Sequence, residues 1–172
     1  MSHFAEAHKR GHQWHLSSSS SREYLAGTFL RKATDKSDST LILSTITVAG
    51  QFWSSPVFCE TAKNNSVSDL YTVALPHVVL KQSLVEDLIA ELAEWLEKPK
   101  ELSVDLSADV YEIFSISFEI SKKLISSLEK PACTVTYASG SFQVGKWSFI
   151  VDQSCMRIFY DELKLAIRHL SA

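Results

Sequence analysis

Histidines carry the most versatile chemistry in this chain, and four of the six fall within the first fifteen positions: His3, His8, His12 and His15. On a helix, His8 and His12 would project from one face at i and i+4 and could chelate a transition metal. The alternative is an unstructured segment without a metal. His77 follows Pro76 in a predicted loop, and His169 lies in the last turn of a predicted helix, where a cation meets the helix dipole favourably. We therefore predict no catalytic histidine and no metal site.

Paired carboxylates are the second candidate chemistry, because two acids that converge can act as general acid and base. Asp105 and Asp109 flank a predicted strand junction, and Glu112 and Glu119 belong to the following strand. Isolated acids at strand ends are usually solvated, so we expect no catalysis there. A site assembled from distant residues such as His77, Asp105 and Glu119 remains as the enzymatic alternative.

Cysteine and glycine usage also argues against an enzyme. Cys59, Cys133 and Cys155 are too far apart for a CxxC pair, and each lies in or beside an apolar segment, as expected of small buried hydrophobes. Five glycines are too few and too scattered for GxGxxG or a P-loop, and neither GxSxG nor HExxH occurs. We predict a protein without enzymatic activity or cofactor. The cysteines favour a reducing compartment, and the N-terminus lacks a secretory apolar region, so we expect a cytoplasmic location.

One predicted helix carries a cluster of like charges: Glu86, Asp87, Glu91, Glu94 and Glu97. Only Lys98 and Lys100 follow, so the face has a single sign. Such a face is either merely solvated or a docking surface that steers a basic protein partner. Exposed aromatic residues would add anchors, and the candidates are Trp53, Tyr71, Trp95 and Tyr111.

The helix that carries these acids is the clearest element of the sequence. Leucines recur every four residues, at Leu84, Leu88, Leu92 and Leu96, and predict an amphipathic helix over 84–97. Ser83 and Glu86 fit a capping box, and Pro99 follows the helix. A second helix is predicted over 154–170, with Asp152 or Ser154 as its N-cap.

Strand-like segments fill most of the remaining chain. Tyr24 to Leu30, Thr40 to Val48 and Gln51 to Glu60 predict an antiparallel meander, with a tight turn at Ala49-Gly50. Further strands are expected over 101–106 and 110–120, and a hairpin over 133–138 and 142–151. This order of elements predicts an α+β fold with a largely antiparallel sheet and two helices packed on one face.

Charge is unevenly distributed along the 172 residues, although the formal net charge is only −3. Residues 1–36 contain six Lys or Arg against three acids, whereas residues 37–172 contain eleven against seventeen. Because five serines follow the basic start, we predict a disordered lead-in over 1–21 and a single domain over 22–172. The lack of a basic excess argues against nucleic acid as the main ligand. The sequence contains no run of about 18 apolar residues, so it predicts no membrane-spanning helix.

The order of elements resembles small bacterial proteins of the WapI-like immunity class over roughly residues 40–170. The resemblance rests on Pro76-His77-Val78, the helix LVEDLIAELAEWLEKP, the segments ELSVDL and YEIFSISFEI, and the terminal DQSCMRIFYDELKLAIRHL. In that class, a leucine-patterned helix that ends in a tryptophan-leucine pair precedes paired strands, and a terminal helix follows an aspartate.

The resemblance implies a non-enzymatic protein that binds and neutralises a bacterial toxin domain. Many such toxins are basic nucleases, to which the acidic helix would be complementary. The expected partner is thus a protein, with no nucleic acid and no membrane. The alternatives are a general adaptor module, or an oligomeric subunit such as a homodimer that uses a sheet edge.

Overall fold

The computed structural model describes residues 12–18, 22–54, 71–108, 112–119, 131–139 and 143–171. The described part is mostly strand, and all strand pairs are antiparallel. The strands are β1 Gln13–Ser17, β2 Tyr24–Thr34, β3 Thr40–Ser54, β4 Tyr71–Lys81, β5 Leu102–Asp105, β6 Glu112–Glu119, β7 Ala132–Ser139 and β8 Gln143–Ile150. The helices are α1 Gln82–Glu97 and α2 Gln153–Ser171. The predicted α+β class is confirmed.

Strand β3 is fifteen residues long and belongs to two sheets. Its first part pairs with β2 and β4, and Gln51 to Ser54 pair with β8. The predicted turn at Ala49-Gly50 is therefore wrong, because both residues are buried and paired. A Cβ on Gly50 would lie 3.2 Å from the carbonyl oxygen of Ser148. This glycine permits a close approach to β8 and does not reverse the chain.

Hydrogen bonds join six of the strands, from β3 through β8, β7, β6 and β5 to β4, in a closed circuit, and β2 and β1 extend from β3 outside it. The strand order is β1-β2-β3-β8-β7-β6-β5. β4 pairs with the edge of β3 that faces away from β2. The segment after β5 returns to β4 through a bridge between Leu80 and Ser107, where the Lys81 N–H donates to the Leu106 carbonyl. β4 and β5 are thereby joined at one end only.

The N-terminal segment is partly ordered, which corrects the predicted lead-in over 1–21. Residues 13–17 form β1 and pair with β2, and Trp14 and Leu16 are buried. Trp14 packs against Phe29 and Phe159, with ring centroids 5.8 Å apart in both cases. Apolar residues at 14 and 16 have the period of a strand, and this signal outweighs the nearby serines. Residues 1–11 and 19–21 lie outside the described part.

Both helices pack into one apolar core together with the sheet residues. α2 packs against β1 and β2, α1 packs against β3, β4 and β5, and the helices contact each other. The N-cap of α2 is Asp152, whose carboxylate accepts a hydrogen bond from the Cys155 N–H. In the described part of the chain, neither helix combines the length and apolar character needed to cross a bilayer.

The start of α1 differs from the prediction. The helix begins at Gln82, directly after β4, and its N-cap Lys81 makes no side-chain capping bond. Ser83 is already inside the first turn, so the predicted capping box does not form. Gln82 donates instead to the Glu86 carboxylate, one turn further on. The strand leads straight into the helix and leaves no loop residue to serve as a cap.

Candidate partner-binding surface

The solvent side of α1 carries all five predicted carboxylates, which we call the acidic face: Glu86, Asp87, Glu91, Glu94 and Glu97. Glu91 is half-buried and the other four are exposed. The opposite side of α1 is buried through Val85, Leu88, Leu92, Trp95 and Leu96. Core packing therefore fixes the direction in which the acidic face points.

Trp95 is not part of the exposed surface, and its prediction as an anchor is wrong. Its side chain is only 1% exposed and packs against Phe118, with ring centroids 6.3 Å apart. The apolar side of α1 is wider than the leucine repeat alone predicts, because both β6 and α2 cover it. The side chains of Trp53, Tyr71 and Tyr111 lie outside the described part of the chain.

Lys100 places one positive charge beside the carboxylates of the acidic face. Beyond the end of α1, its ammonium group lies 2.7 Å from Glu91 Oε2 and 2.8 Å from Glu94 Oε2. The hydrogen bonds that Lys100 donates to these carboxylates, foremost the one to Glu91, raise the pKa of Lys100. The bond from Lys100 also lowers the pKa of Glu94. Asp87 and Glu97 have no ion-pair partner among the residues that the structure describes. Within that part of the chain, Glu86 accepts a hydrogen bond only from the neutral amide of Gln82, so these three residues carry the unneutralised charge of the face.

A groove of about 480 Å³ lies between α1 and β5, and we call it the edge groove. Asp87, Ala90 and Glu91 line it from the helix, and Ser103 and Val104 line it from the strand. Lys100, Glu101 and Leu102 complete the lining. The groove is thus mainly polar and continues the acidic face down to the sheet.

β5 is the last strand of its sheet, and its outer edge borders this groove. The Leu106 N–H donates to the Phe114 carbonyl, in register with the pairs Val104–Ile116 and Leu102–Phe118. In an antiparallel ladder, the residues between such pairs turn their N–H and C=O groups away from the partner strand. Ser103 and Asp105 therefore direct their backbone groups outwards, and no partner for them exists among the described residues.

The edge position of β5 cannot be predicted from the sequence. The pattern over 101–106 predicts a strand, but the position of a strand in a sheet depends on pairings that are distant in sequence. The end of β5 did have a local signal: the Asp105 carboxylate accepts bonds from the Ser107 N–H and hydroxyl, 3.0 and 2.7 Å away. An aspartate followed two residues later by serine is typical of such a turn.

β1 stands at the opposite end of the strand order from β5, and its outer edge is covered. Glu162 of α2 accepts hydrogen bonds from the His15 N–H at 2.8 Å and from His15 Nδ1 at 2.7 Å. The bond with Glu162 is the main cause that raises the pKa of His15. His12 lies nearby, with its ring centroid 6.1 Å from that of His169. His15 thus has a structural partner, whereas His3 and His8 lie outside the described residues.

The remaining candidate chemical groups do not converge. His77 lies in β4 and not in a loop, at a register shift beside Pro76. In the antiparallel bridge between Leu80 and Ser107, His77 lies three residues to one side and Asp105 two residues to the other, which separates them by about 17 Å. Glu112 and Glu119 stand at opposite ends of β6, and Asp109 is outside the described part. The structure does not bring together the predicted set of His77, Asp105 and Glu119.

Two cysteines lie in the described part of the chain. Cys133 is fully buried in the core, and burial raises the pKa of its thiol, so it behaves as a small hydrophobe. Cys155 is half-buried against the core, and Cys59 is outside the described residues. Within the described ranges, no three His, Cys, Asp or Glu side chains are placed to hold a metal ion.

Comparison with protein-family models, with curated proteins and with solved structures gave no match.

Proposed function

We propose that this chain is a non-enzymatic protein that binds a basic protein partner through the acidic face of α1. The observation that supports the proposal is the exposure of that face on a helix whose other side is buried in the core. A rigid support lowers the entropy lost on binding, and a field of one sign increases the rate of association with an oppositely charged partner.

The particular partner that we propose is a bacterial toxin domain, so that the chain acts as an immunity protein in the cytoplasm. The resemblance to the WapI-like class supports this assignment, together with the excess of acids over residues 37–172. An immunity protein acts by occluding or clamping its toxin, so it needs a shaped surface and no catalytic group. The alternative is an adaptor module or a subunit of a larger assembly.

The direct test is co-expression of this chain with the product of the neighbouring gene. We expect a complex that co-purifies, and rescue of cells from the toxicity of that product. The absence of both a complex and rescue would reject the immunity assignment. Light scattering on the purified chain addresses the alternative, because a strict monomer without any heteromeric partner contradicts a subunit role.

Charge reversal tests whether the acidic face is the surface used. The variant Asp87→Lys, Glu97→Lys changes two of the three carboxylates that lack an ion pair. We expect about tenfold weaker binding of the co-purified partner, mainly through slower association. Because both residues are exposed, the free energy of unfolding should change by no more than about 0.5 kcal/mol. The measurement is surface plasmon resonance at several salt concentrations.

The matched control is Glu119→Lys, Asp161→Lys, which makes the same change of charge at exposed positions on β6 and α2. It should leave binding almost unchanged and keep the salt dependence of the original chain. Equal weakening by both double variants would mean that only the net charge matters, and would contradict a role for this face.

A further inference from the structure

We infer that the edge groove binds an extended, basic segment of a protein partner, which adds as a strand to the outer edge of β5. This inference rests on the proposed function and identifies how its partner is held. The unpaired edge, the charge of the groove and the geometry of its closed end each contribute to it.

The backbone of β5 supplies the first requirement. Ser103 lines the groove and turns its N–H and C=O groups towards it, and Asp105 directs its own backbone groups outwards just beyond the lining. An extended chain laid alongside would satisfy these groups. The strand is four residues long, which gives an edge of about 13 Å. Native proteins usually cover or block such an edge, as α2 covers β1 here through Glu162.

Charge defines the chemistry of the incoming strand. Alternate side chains of an added strand would point towards the flank of α1, where Asp87 and Glu91 line the groove. Glu101 adds a third carboxylate to the lining, and Lys100 already pairs with Glu91. Lysine or arginine at every second position of the partner segment would therefore complement this groove.

The same charges disfavour a second copy of this chain as the occupant. Glu101 and Asp105 flank the edge, and pairing two copies of β5 would bring both sets of carboxylates and both acidic faces together. Like charges placed opposite each other destabilise a strand pair.

The groove is closed at one end, which limits the register of an added strand. β5 ends at Asp105, whose carboxylate accepts a hydrogen bond from the Ser107 N–H in a turn. Ser107 then forms a β-bridge with Leu80 of β4. An incoming strand thus meets the backbone of this crossover beyond Asp105. A segment that binds here would be positioned along β5 and would not slide past this point.

The test uses the full chain and an end-capped peptide of about nine residues in which lysine and threonine alternate, with glutamate in place of lysine in the control peptide. We expect saturable binding of the lysine peptide only, with chemical-shift changes at the amides of Ser103 and Asp105. Two N-methylated forms, one methylated at every lysine amide and one at every threonine amide, should differ about tenfold in affinity. Only one set of alternate amides faces β5.

Ser103→Pro removes one outward N–H, and an edge strand tolerates this because that N–H is not part of the ladder. We expect about tenfold weaker peptide binding with an unchanged circular dichroism spectrum. The matched control is Ser103→Ala, which keeps the N–H and should bind like the original chain.

The outcomes separate the two proposals. If Asp87→Lys weakens peptide binding while Ser103→Pro and the position of N-methylation have no effect, the acidic face acts by charge alone, and only the strand inference is overturned. Failure of the lysine peptide to bind, or self-association that Ser103→Pro abolishes in light scattering, also overturns the strand inference. The proposed function is judged separately by the neighbouring-gene experiment.

Discussion

Glu162 holds β1 against α2 through two bonds to a single residue, His15. One bond involves the backbone N–H and the other the imidazole Nδ1. The pKa of His15 is raised mainly by the bond with Glu162, while burial opposes this rise and the charge of Glu162 adds to it. Stability from this pair is therefore fully present below the unfolded pKa of about 6.5, and is lost as the pH rises through the folded value.

Glu162→Gln tests this pair, because the amide oxygen can still accept the His15 N–H while the charge is removed. We expect a loss of about 1–2 kcal/mol in the free energy of unfolding near pH 6 and a smaller loss near pH 9. Urea denaturation at both pH values measures the difference. The control Asp161→Asn, at the adjacent exposed position of α2, should show little effect at either pH. Equal losses for Glu162→Gln at both pH values would contradict the role of imidazole charge.

Individual residues were predicted well where the local pattern determines their environment. Leu88, Leu92 and Leu96 are buried as their spacing predicts, and the acids between them face solvent. The predicted exposure of Trp95 is wrong because its burial depends on Phe118, a residue of a strand that is distant in sequence. The pairing of Lys100 with Glu91 and Glu94 was also missed, because it depends on how the chain turns after α1.

At the scale of elements, β1 is the least expected part of the structure. It brings Trp14 directly opposite Gly27 of β2, and a Cβ on Gly27 would lie only 2.2 Å from Trp14 Cζ2. Gly27 thus provides the space for the indole ring. If residues 1–21 were disordered, this glycine would have no such role.

The sign of the change in the free energy of unfolding on Gly27→Ala distinguishes an ordered β1 from a disordered N-terminal segment. With β1 docked, the added methyl group overpacks the site, and we expect a loss of about 1–3 kcal/mol in the free energy of unfolding. In a free β2 edge, alanine would be neutral or slightly stabilising, because glycine loses more backbone entropy in a strand. Thermal and urea denaturation measure the change.

The control is the same substitution in a Trp14→Leu background. The smaller side chain leaves room for the methyl group, so the cost of Gly27→Ala should fall in the double variant. An unchanged cost would mean that the contact with Trp14 is not its cause.

Whole-molecule features were the hardest to predict from sequence. The fold class followed from the order of strands and helices, and both helices lie where periodicity predicted them. The sequence does not predict that β3 belongs to two sheets, because Ala49-Gly50 has the local composition of a turn. Only the pairing with β8 shows that the strand continues through these residues. The open edge of β5 is likewise a property of the complete sheet order.

The two sheets share β3, so neither should unfold alone. We expect one cooperative transition in urea, with coincident midpoints for the far-ultraviolet circular dichroism signal and for tryptophan fluorescence. Trp14 lies in the sheet that contains β1 and β2, and Trp147 lies in the sheet that contains β7 and β8, so single Trp→Phe variants separate the signals of the two sheets. Two transitions with different midpoints would contradict this coupling.

The pairing of β3 with β8 also sets an order of events during synthesis. Gln51 pairs with Ser148, so the second half of β3 has no β8 partner until β8, about a hundred residues further along the chain, has left the ribosome. β1 waits longer still for its contact with Glu162. Between the synthesis of β3 and that of β8, the nascent chain therefore carries two uncovered strand edges, and the edge of β1 stays uncovered until α2 emerges.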